Sequence, residues 1–174
     1  MGIWKNHVEE EKQQNNIEDF TGKVVEVHSG DCLTIEKDGD FKLVKIYLAS
    51  IKAPKLTNDT SEAYGWESKE SLRKLAIGKK VKVVVEYSKV VPIKSGEIQM
   101  NFGSVFLTSK NDKNVAAAQL ERGLAKSNLH KDQMSRYLED LLTAEKKAID
   151  AKLCLHSKRE PPKIIFNDLI SNTK

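Results

Sequence analysis

The hydrophobic pattern changes its period twice between residues 22 and 87, and this change limits the folds that the chain can adopt. Val25 and Val27 alternate with polar residues, and the alternation resumes after the turn SGD in the run CLTIEK, as in a β-hairpin. The dipeptide Asp38-Gly39 predicts a second hairpin turn, and the following run FKLVKIYLA predicts a third strand. The first part of the compact region is therefore expected to be a meander of three strands.

Beyond Pro54 the pattern becomes helical, and Gly78 supplies a helix stop. The residues that recur at helical spacing are Tyr64, Ser68, Leu72 and Leu75. Alternation then returns in KKVKVVVEY, which is the clearest strand in the sequence. A loop containing Pro92 and Gly96 is expected to separate it from another strand at about residues 100–108.

Two more helices are predicted in the last third of the chain. Asn114 is an expected N-cap for a short helix that ends at Gly123, and an apolar stripe predicts a longer helix from about Met134 to Ala151. The resulting order, β-β-β-α-β-β-α-α, predicts an α+β domain. Its core is a five-stranded Greek-key barrel of the OB-fold type with three helices, the first of which closes one end.

The composition is that of a folded intracellular domain. Hydrophobic residues make up 39% and charged residues 31% of the chain, and no apolar run approaches the length of a membrane span. Two cysteines without a CxxC pair, and an N-terminus without an apolar signal block, favour the cytoplasm. The net charge of +4 slightly favours polyanionic partners, and no membrane contact is expected.

Five segments, taken together in their order, resemble the staphylococcal nuclease family. They are VHSGDCLTI, YLASIKAP, YGWESKESLRKLAIGKKVKV, LERGLAK and LLTAEKKAIDAK, and they span roughly Gly22 to Ser157. Within this family, YLASIKAPK, LRKLAIGKKV and HSKREPP are most similar to the third nuclease-like repeat of the Tudor staphylococcal nucleases (Tudor-SN), which are multidomain eukaryotic proteins. The resemblance implies an OB-fold domain at residues 21–157 and a basic tail at residues 158–174.

Residues 1–20 are expected to be a linker that carries the end of a preceding repeat. The run EEEKQQNN is charged and rich in amides, as linkers are, and the motif GIW at residues 2–4 is similar to the last residues of family repeats. We therefore expect the chain to come from a tandem array. Its partners would then include neighbouring nuclease-like repeats and a Tudor module.

The resemblance also implies where a catalytic site would lie. Active members of the family hold calcium with one carboxylate in the first turn and another before the proline, and a glutamate after the proline is the proposed general base. In this chain Asp31 matches the first carboxylate and is the remaining candidate for catalysis and metal binding. Lys52 stands at the position of the second carboxylate and Lys55 at that of the base.

These changes argue against a calcium enzyme, because calcium needs roughly six to eight oxygen ligands and a protonated lysine cannot act as a base. No cofactor is expected, and a calcium site at Asp31 is the alternative. Such a site could also be rebuilt from acids elsewhere, namely Glu36, Asp38, Asp40, Glu62 and Glu67. The two arginines that bind the scissile phosphate in active members are also replaced. Their positions fall on Tyr47, with Lys45 on the same face, and near Asn101.

The lysines at the catalytic positions replace a bound cation with fixed positive charge, which attracts phosphate without activating water. The residues predicted to bind nucleic acid are Lys45, Tyr47, Lys52, Lys55, Arg73, Lys82, Lys131, Lys158 and Arg159. Aromatic residues are only 6% of the chain, and Lys131 lies in a loop where active relatives carry aromatic residues. Contacts to phosphate and to RNA shape are therefore expected rather than base stacking.

Three functions are compatible with the sequence, and the one that we expect is an RNA-binding module derived from a nuclease. The resemblance then implies single- or double-stranded RNA, the RNA-induced silencing complex and transcription proteins as partners, in the cytoplasm and also in the nucleus. The second function is a calcium-dependent phosphodiesterase, which acts alone or through a site completed by an adjacent repeat. The third is a protein-interaction scaffold that spaces its neighbours.

Overall fold

The computed structural model describes residues 17–57 and 61–159, so the GIW motif, most of the expected linker and the end of the basic tail lie outside the described residues. The strands are β1 (Phe20–Ser29), β2 (Cys32–Lys37), β3 (Leu43–Leu48), β4 (Ile51–Lys52), β5 (Lys80–Ile93), β6 (Gly96–Leu107), β7 (Lys113–Asn114) and β8 (Lys126–Ser127). The α-helices are α1 (Gly65–Ala76), α2 (Val115–Glu121) and α3 (Leu138–Asp150). In this described part of the chain, no helix is long and apolar enough to cross a membrane.

Five of these strands close into the barrel that the element order predicts. β1 pairs with β2 and β5, β2 pairs with β3, and β5 pairs with β6, all in antiparallel fashion. The ring closes where β3 runs parallel to β6, with Tyr47 opposite Phe102 and Leu48 opposite Gly103. The strand order β3-β2-β1-β5-β6 with three helices is an α+β OB-fold architecture, so this prediction is confirmed.

The inward faces of the barrel strands and one face of each helix form a contiguous apolar core. α1 packs against β1 and buries Leu72 and Leu75, which have the helical spacing seen in the sequence. α2 contributes three buried alanines and packs against α3, which buries Leu141 and Ala144. Burial of one such leucine side chain stabilises the fold by about 1.5–3 kcal/mol.

The alternation in β1 is interrupted by a β-bulge between Val24 and Glu26. Val24 and Val27 are buried in the core, whereas Val25 is 37% exposed. The prediction that Val25 and Val27 share one face is therefore wrong. A bulge adds one residue to a strand, and this reverses the side on which the following side chains lie.

The ends of β5 and β6 form an exposed two-stranded ribbon. Pro92 pairs with Glu97 and Ile93 pairs with Gly96, so these residues belong to strands and not to the predicted loop. The side chains on both faces of the ribbon tip are exposed, which explains why the hydrophobic pattern does not mark these strand ends.

The helix ends agree with the sequence at α2 and differ from it at α3. Asn114 caps α2 as predicted, since its side chain accepts a hydrogen bond from the Ala116 N–H at 3.0 Å. α3 begins at Leu138, later than predicted. Ser135 lies before the helix, where its N–H donates to Ser50 Oγ at 2.8 Å and its own Oγ accepts from the Tyr137 N–H at 3.1 Å.

Candidate nucleic-acid interface

The turn between β1 and β2 carries Asp31, the candidate for catalysis and metal binding. Ser29 Oγ donates a hydrogen bond to one carboxylate oxygen at 2.7 Å, and the Ala53 N–H donates to the other at 2.9 Å. The Asp31 carbonyl also accepts from the Leu48 N–H at 2.8 Å. Asp31 therefore joins the first turn to the segment after β4, as a structural turn residue does.

A buried polar junction holds this turn against α1 and α2. Gln119 Nε2 donates to the carbonyl of Gly30 at 3.0 Å and to the carbonyl of Ser68 at 2.9 Å. Ser68 Oγ in turn donates to the Leu124 carbonyl at 2.6 Å. Residue 30 must be glycine, because a Cβ there would overlap the side chains of Ser68 and Ala53. The base of the site is thus held by the protein's own contacts.

Two lysines stand opposite each other on the short ladder between β4 and β8. Lys52 pairs with Lys126, and Ile51 pairs with Ser127. Because Ile51 is buried and side chains alternate along a strand, both lysine side chains lie on the outer side. A cleft of about 400 Å³ opens beside them, and Glu62 contributes to its lining. Lys126 is not predicted from the sequence, because two strands of two residues each leave no periodic pattern.

Lys55 lies next to this cleft in the segment after β4. Its N–H donates to Glu62 Oε2 at 3.0 Å, and its carbonyl accepts from the Glu62 N–H at 2.9 Å. Lys52, Lys55 and Lys126 are exposed, and none of the three forms an ion pair with another described residue. Like charges directly opposite each other destabilise a sheet. The ladder therefore places the two like charges of Lys52 and Lys126 at directly opposite positions, and Glu62 is the acid that lines the same cleft.

The groups around Asp31 do not fit calcium, which needs roughly six to eight oxygen ligands. Both carboxylate oxygens already accept hydrogen bonds, and the residue before Ala53, where active members carry the second carboxylate, is Lys52. Within residues 17–57 and 61–159, no group of three or more histidine, cysteine, aspartate or glutamate side chains is placed to hold a metal ion. Among the other acids, Asp38 accepts hydrogen bonds from Lys80 and Thr21, which hold the pKa of its carboxyl below the usual range.

Lys45 and Tyr47 lie together on the outer face of β3, where Lys45 Nζ is 5.4 Å from the centre of the Tyr47 ring. Burial by itself lowers the pKa of Lys45, but hydrogen bonding with the Tyr47 side chain, together with nearby groups that carry negative charge when ionised, leaves the pKa raised. The Tyr47 ring lies beside Phe102, at 5.5 Å between ring centres. The resemblance implies a phosphate-binding position near Asn101, and the Asn101 side chain accepts a hydrogen bond from Ser88 Oγ at 2.9 Å.

The remaining predicted residues lie on other elements. Arg73, in the last turn of α1, forms two hydrogen bonds with Glu70 at 2.7 and 2.8 Å, and these raise the pKa of the arginine. The other four residues are exposed. Lys82 lies on β5, Lys131 lies on the turn before α3, and Lys158 and Arg159 follow the last α-helix. Of the predicted set, the structure therefore joins Asp31 to the segment that carries Lys52 and Lys55, and it places Lys45 beside Tyr47 on β3.

The chain is similar to a known family and to several large proteins. Residues 45–158 match the family described as "Staphylococcal nuclease homologue". The chain is 37% identical to "Ribonuclease TUDOR 2" of Arabidopsis thaliana, over 96% of this chain and 20% of that protein. It is 35% identical to "Ribonuclease TUDOR 1" of the same plant, over 96% of this chain and 21% of that protein. "Staphylococcal nuclease domain-containing protein 1" of Schizosaccharomyces pombe is 29% identical over 92% of this chain and 18% of its own length.

The family match begins in β3 and includes the cleft lysines and all three α-helices. The chain spans about a fifth of the length of the relatives that it matches. Both the OB-fold barrel and these matches agree with the resemblance found in the sequence. The chain therefore belongs to the staphylococcal nuclease family, and it is related to the Tudor-SN (Ribonuclease TUDOR) proteins.

Proposed function

We propose that this domain binds RNA through the phosphate backbone and without a metal ion. The observation that supports this proposal is the pairing of Lys52 with Lys126 beside the cleft, with Lys55 adjacent and no ion-pair partner for any of them among the described residues. Contacts from lysine to phosphate supply affinity that is independent of sequence. The choice of RNA follows from the relatives, two of which are named ribonucleases.

The chemistry of the cleft favours holding a phosphodiester over cutting it. Each ammonium group can donate up to three hydrogen bonds to phosphate oxygens, and it offers no acceptor to deprotonate a water molecule. The carboxylate of Asp31 is engaged by Ser29 and Ala53 and supports the turn. The domain would thus use the barrel of a nuclease family to bind a nucleic-acid backbone without cleaving it.

We also propose that the chain is the third nuclease-like repeat of a Tudor-SN protein. The segments YLASIKAPK, LRKLAIGKKV and HSKREPP support this assignment by their resemblance to that repeat. The domain would occupy residues 21–157, between a linker and a basic tail. Its partners would be neighbouring repeats, a Tudor module, the RNA-induced silencing complex and transcription proteins, in the cytoplasm and the nucleus.

The RNA-binding proposal is tested by titrating single- and double-stranded RNA with the Lys52→Gln/Lys55→Gln variant at several salt concentrations, using fluorescence anisotropy. Each lost phosphate contact lowers the slope of log K against log salt by about 1, so we expect weaker binding and a slope reduced by about 2. The matched control is Lys146→Gln/Lys147→Gln, which removes the same charge from ion-paired lysines on α3 and should bind like the wild type. Unchanged affinity and slope in the cleft variant would refute the proposal.

A second candidate function is phosphodiester cleavage, which the names of the two plant relatives favour. The arrangement around Asp31 counts against it for this domain alone. Incubation of the purified protein with RNA and divalent cations distinguishes the two functions. Cleavage that disappears in Asp31→Ala, while circular dichroism shows that the variant is folded, would establish the nuclease, whereas intact RNA under conditions of saturated binding supports binding without cleavage.

A further inference from the structure

Three aromatic side chains from different strands form a row on the outer surface of the barrel, which we call the aromatic row. Tyr47 on β3 lies opposite Phe102 on β6, and Phe102 lies opposite Tyr87 on β5. The ring centres of Tyr47 and Phe102 are 5.5 Å apart. Those of Phe102 and Tyr87 are 4.9 Å apart, with an angle of 19° between the rings. All three side chains are partly exposed, so the row forms an aromatic surface that solvent reaches.

The strand geometry explains why these rings point away from the core. Ile46 and Leu48 are buried, so Tyr47 between them points to the other face of β3. In β5 a bulge between Val85 and Tyr87 shifts the register and brings Tyr87 opposite Phe102. The low aromatic content of the chain gave no indication of this row, because the three residues are distant in sequence and meet only when the barrel closes.

Two of these rings each have a lysine ammonium group above them. Lys45 Nζ is 5.4 Å from the centre of the Tyr47 ring, and Lys89 Nζ is 5.5 Å from the centre of the Phe102 ring. Neither lysine forms a salt bridge with any residue that the structure describes. Burial raises the pKa of the third ring, Tyr87, and hydrogen bonds to Ser50 oppose this shift. The row thus carries two lysines over its other two rings.

A nucleobase can compete with these lysines for the ring faces. An exposed cation–π contact contributes about twofold to fivefold in affinity, whereas stacking of a base on an aromatic side chain contributes about fivefold to 150-fold. A base can therefore displace a lysine from its ring. The displaced ammonium group stays within the reach of its side chain and can contact the phosphate that neighbours the base.

We propose that the aromatic row and its two lysines bind unpaired nucleotides of single-stranded RNA, with bases stacked on Tyr47 and Phe102 and phosphates held by Lys45 and Lys89. This inference rests on the proposed function and specifies its ligand. Bases in a duplex are stacked inside the helix and cannot present their faces to a protein surface, whereas bases in a single strand can. The aromatic row would therefore give the domain a preference for single-stranded over double-stranded RNA, which phosphate contacts alone do not provide.

The test compares Phe102→Leu with the wild type on three probes, which are a single-stranded oligouridylate of about ten nucleotides, an abasic ribose-phosphate strand of the same length, and an RNA duplex. We expect the variant to lose about fivefold to 150-fold in affinity for the oligouridylate and to bind the other two probes like the wild type. Phe41→Leu, on the turn between β2 and β3 at a side chain that is 71% exposed, is the matched control and should bind all three normally.

Tyr47→Leu provides a second variant if Phe102→Leu does not fold, as judged by circular dichroism. In the wild type, NMR should show upfield shifts of the Tyr47 and Phe102 ring protons on saturation with oligouridylate. Equal loss of affinity for all three probes, or unshifted ring protons at saturation, would overturn the aromatic row as a base-binding site and leave the lysine cleft standing. Failure of the wild type to bind any of the three probes would instead refute the proposed function.

Discussion

Asp31 shows how a residue at a catalytic position can serve the fold. In active members of the family a carboxylate in this turn holds calcium, whereas here its two oxygens accept hydrogen bonds from Ser29 and the Ala53 N–H. Removing an acceptor leaves partly buried donors without a partner, and the cost is the desolvation of those donors. The identity of this residue alone could not separate the two roles, because both require an aspartate in the same turn.

We expect Asp31→Ala to lower the free energy of unfolding by about 1–3 kcal/mol, because the Ala53 N–H and the Ser29 hydroxyl lose their acceptor. Urea denaturation measures this change. Asp40→Ala is the matched control, since the Asp40 carboxylate accepts from the Lys42 N–H in an exposed turn and its removal should have a smaller effect. Equal stability of Asp31→Ala and the wild type would contradict the structural role.

His28 is expected to make stability depend on pH. Its Nε2 lies 2.7 Å from Thr34 Oγ, and burial lowers the pKa of its ring, with Lys45 and Lys69 adding to the shift and Glu26 opposing it. The unfolded chain therefore binds the proton more tightly. The contribution to stability is complete above about pH 6.5 and is lost as the pH falls through the lowered pKa. His28→Gln should flatten the decline in unfolding free energy between about pH 7 and pH 5, and an unaltered decline would count against this account.

At the scale of elements, the ladder between β4 and β8 carries two lysines that favour phosphate binding but lower the stability of the free protein. Lys52 and Lys126 face the same side at directly opposite positions, where like charges repel. An anion between them would relieve this repulsion. The arrangement is therefore more favourable in a complex with phosphate than in the free protein.

Lys126→Glu tests this trade-off between stability and phosphate binding, because it converts the repulsive pair with Lys52 into an attractive one. We expect the free energy of unfolding to rise by about 0.2–1 kcal/mol, while affinity for RNA falls. Chemical denaturation and RNA titration on the same preparation measure the two effects. A variant that is less stable and binds RNA as well as the wild type would show that the ladder is not an anion site.

The elements that sequence predicted well are those that depend on local patterns. The helical spacing of α1, the Asn114 cap and the order of the barrel strands follow from periods of 3.6 and 2 and from turn residues. The bulges after Val24 and Val85 were not predictable in this way, because they depend on how one strand pairs with its neighbour. They decide the outward position of Val25 and of Tyr87.

At the scale of the whole molecule, the difference between local patterns and contacts across the fold also separates the predicted site residues from those that were not predicted. Lys52 and Lys55 could be proposed from the sequence because they stand in a contiguous motif around Pro54. The missed residues come from strands that meet only in the closed barrel or in the small ladder, and they are Phe102, Tyr87, Lys89 and Lys126. A motif in one segment can indicate that catalytic positions are substituted. It cannot indicate which side chains from other strands lie near those positions in the fold.

The central claim is that fixed ammonium groups have taken the place of a metal ion, so that the domain holds RNA without cutting it. The most direct test is to measure the affinity of the chain for a labelled single-stranded RNA by fluorescence anisotropy, once in EDTA and once in calcium, and to examine the same RNA on a denaturing gel. We expect the same dissociation constant in both conditions and RNA of unchanged length. Binding that requires calcium, or RNA shortened when calcium is present, would contradict the claim.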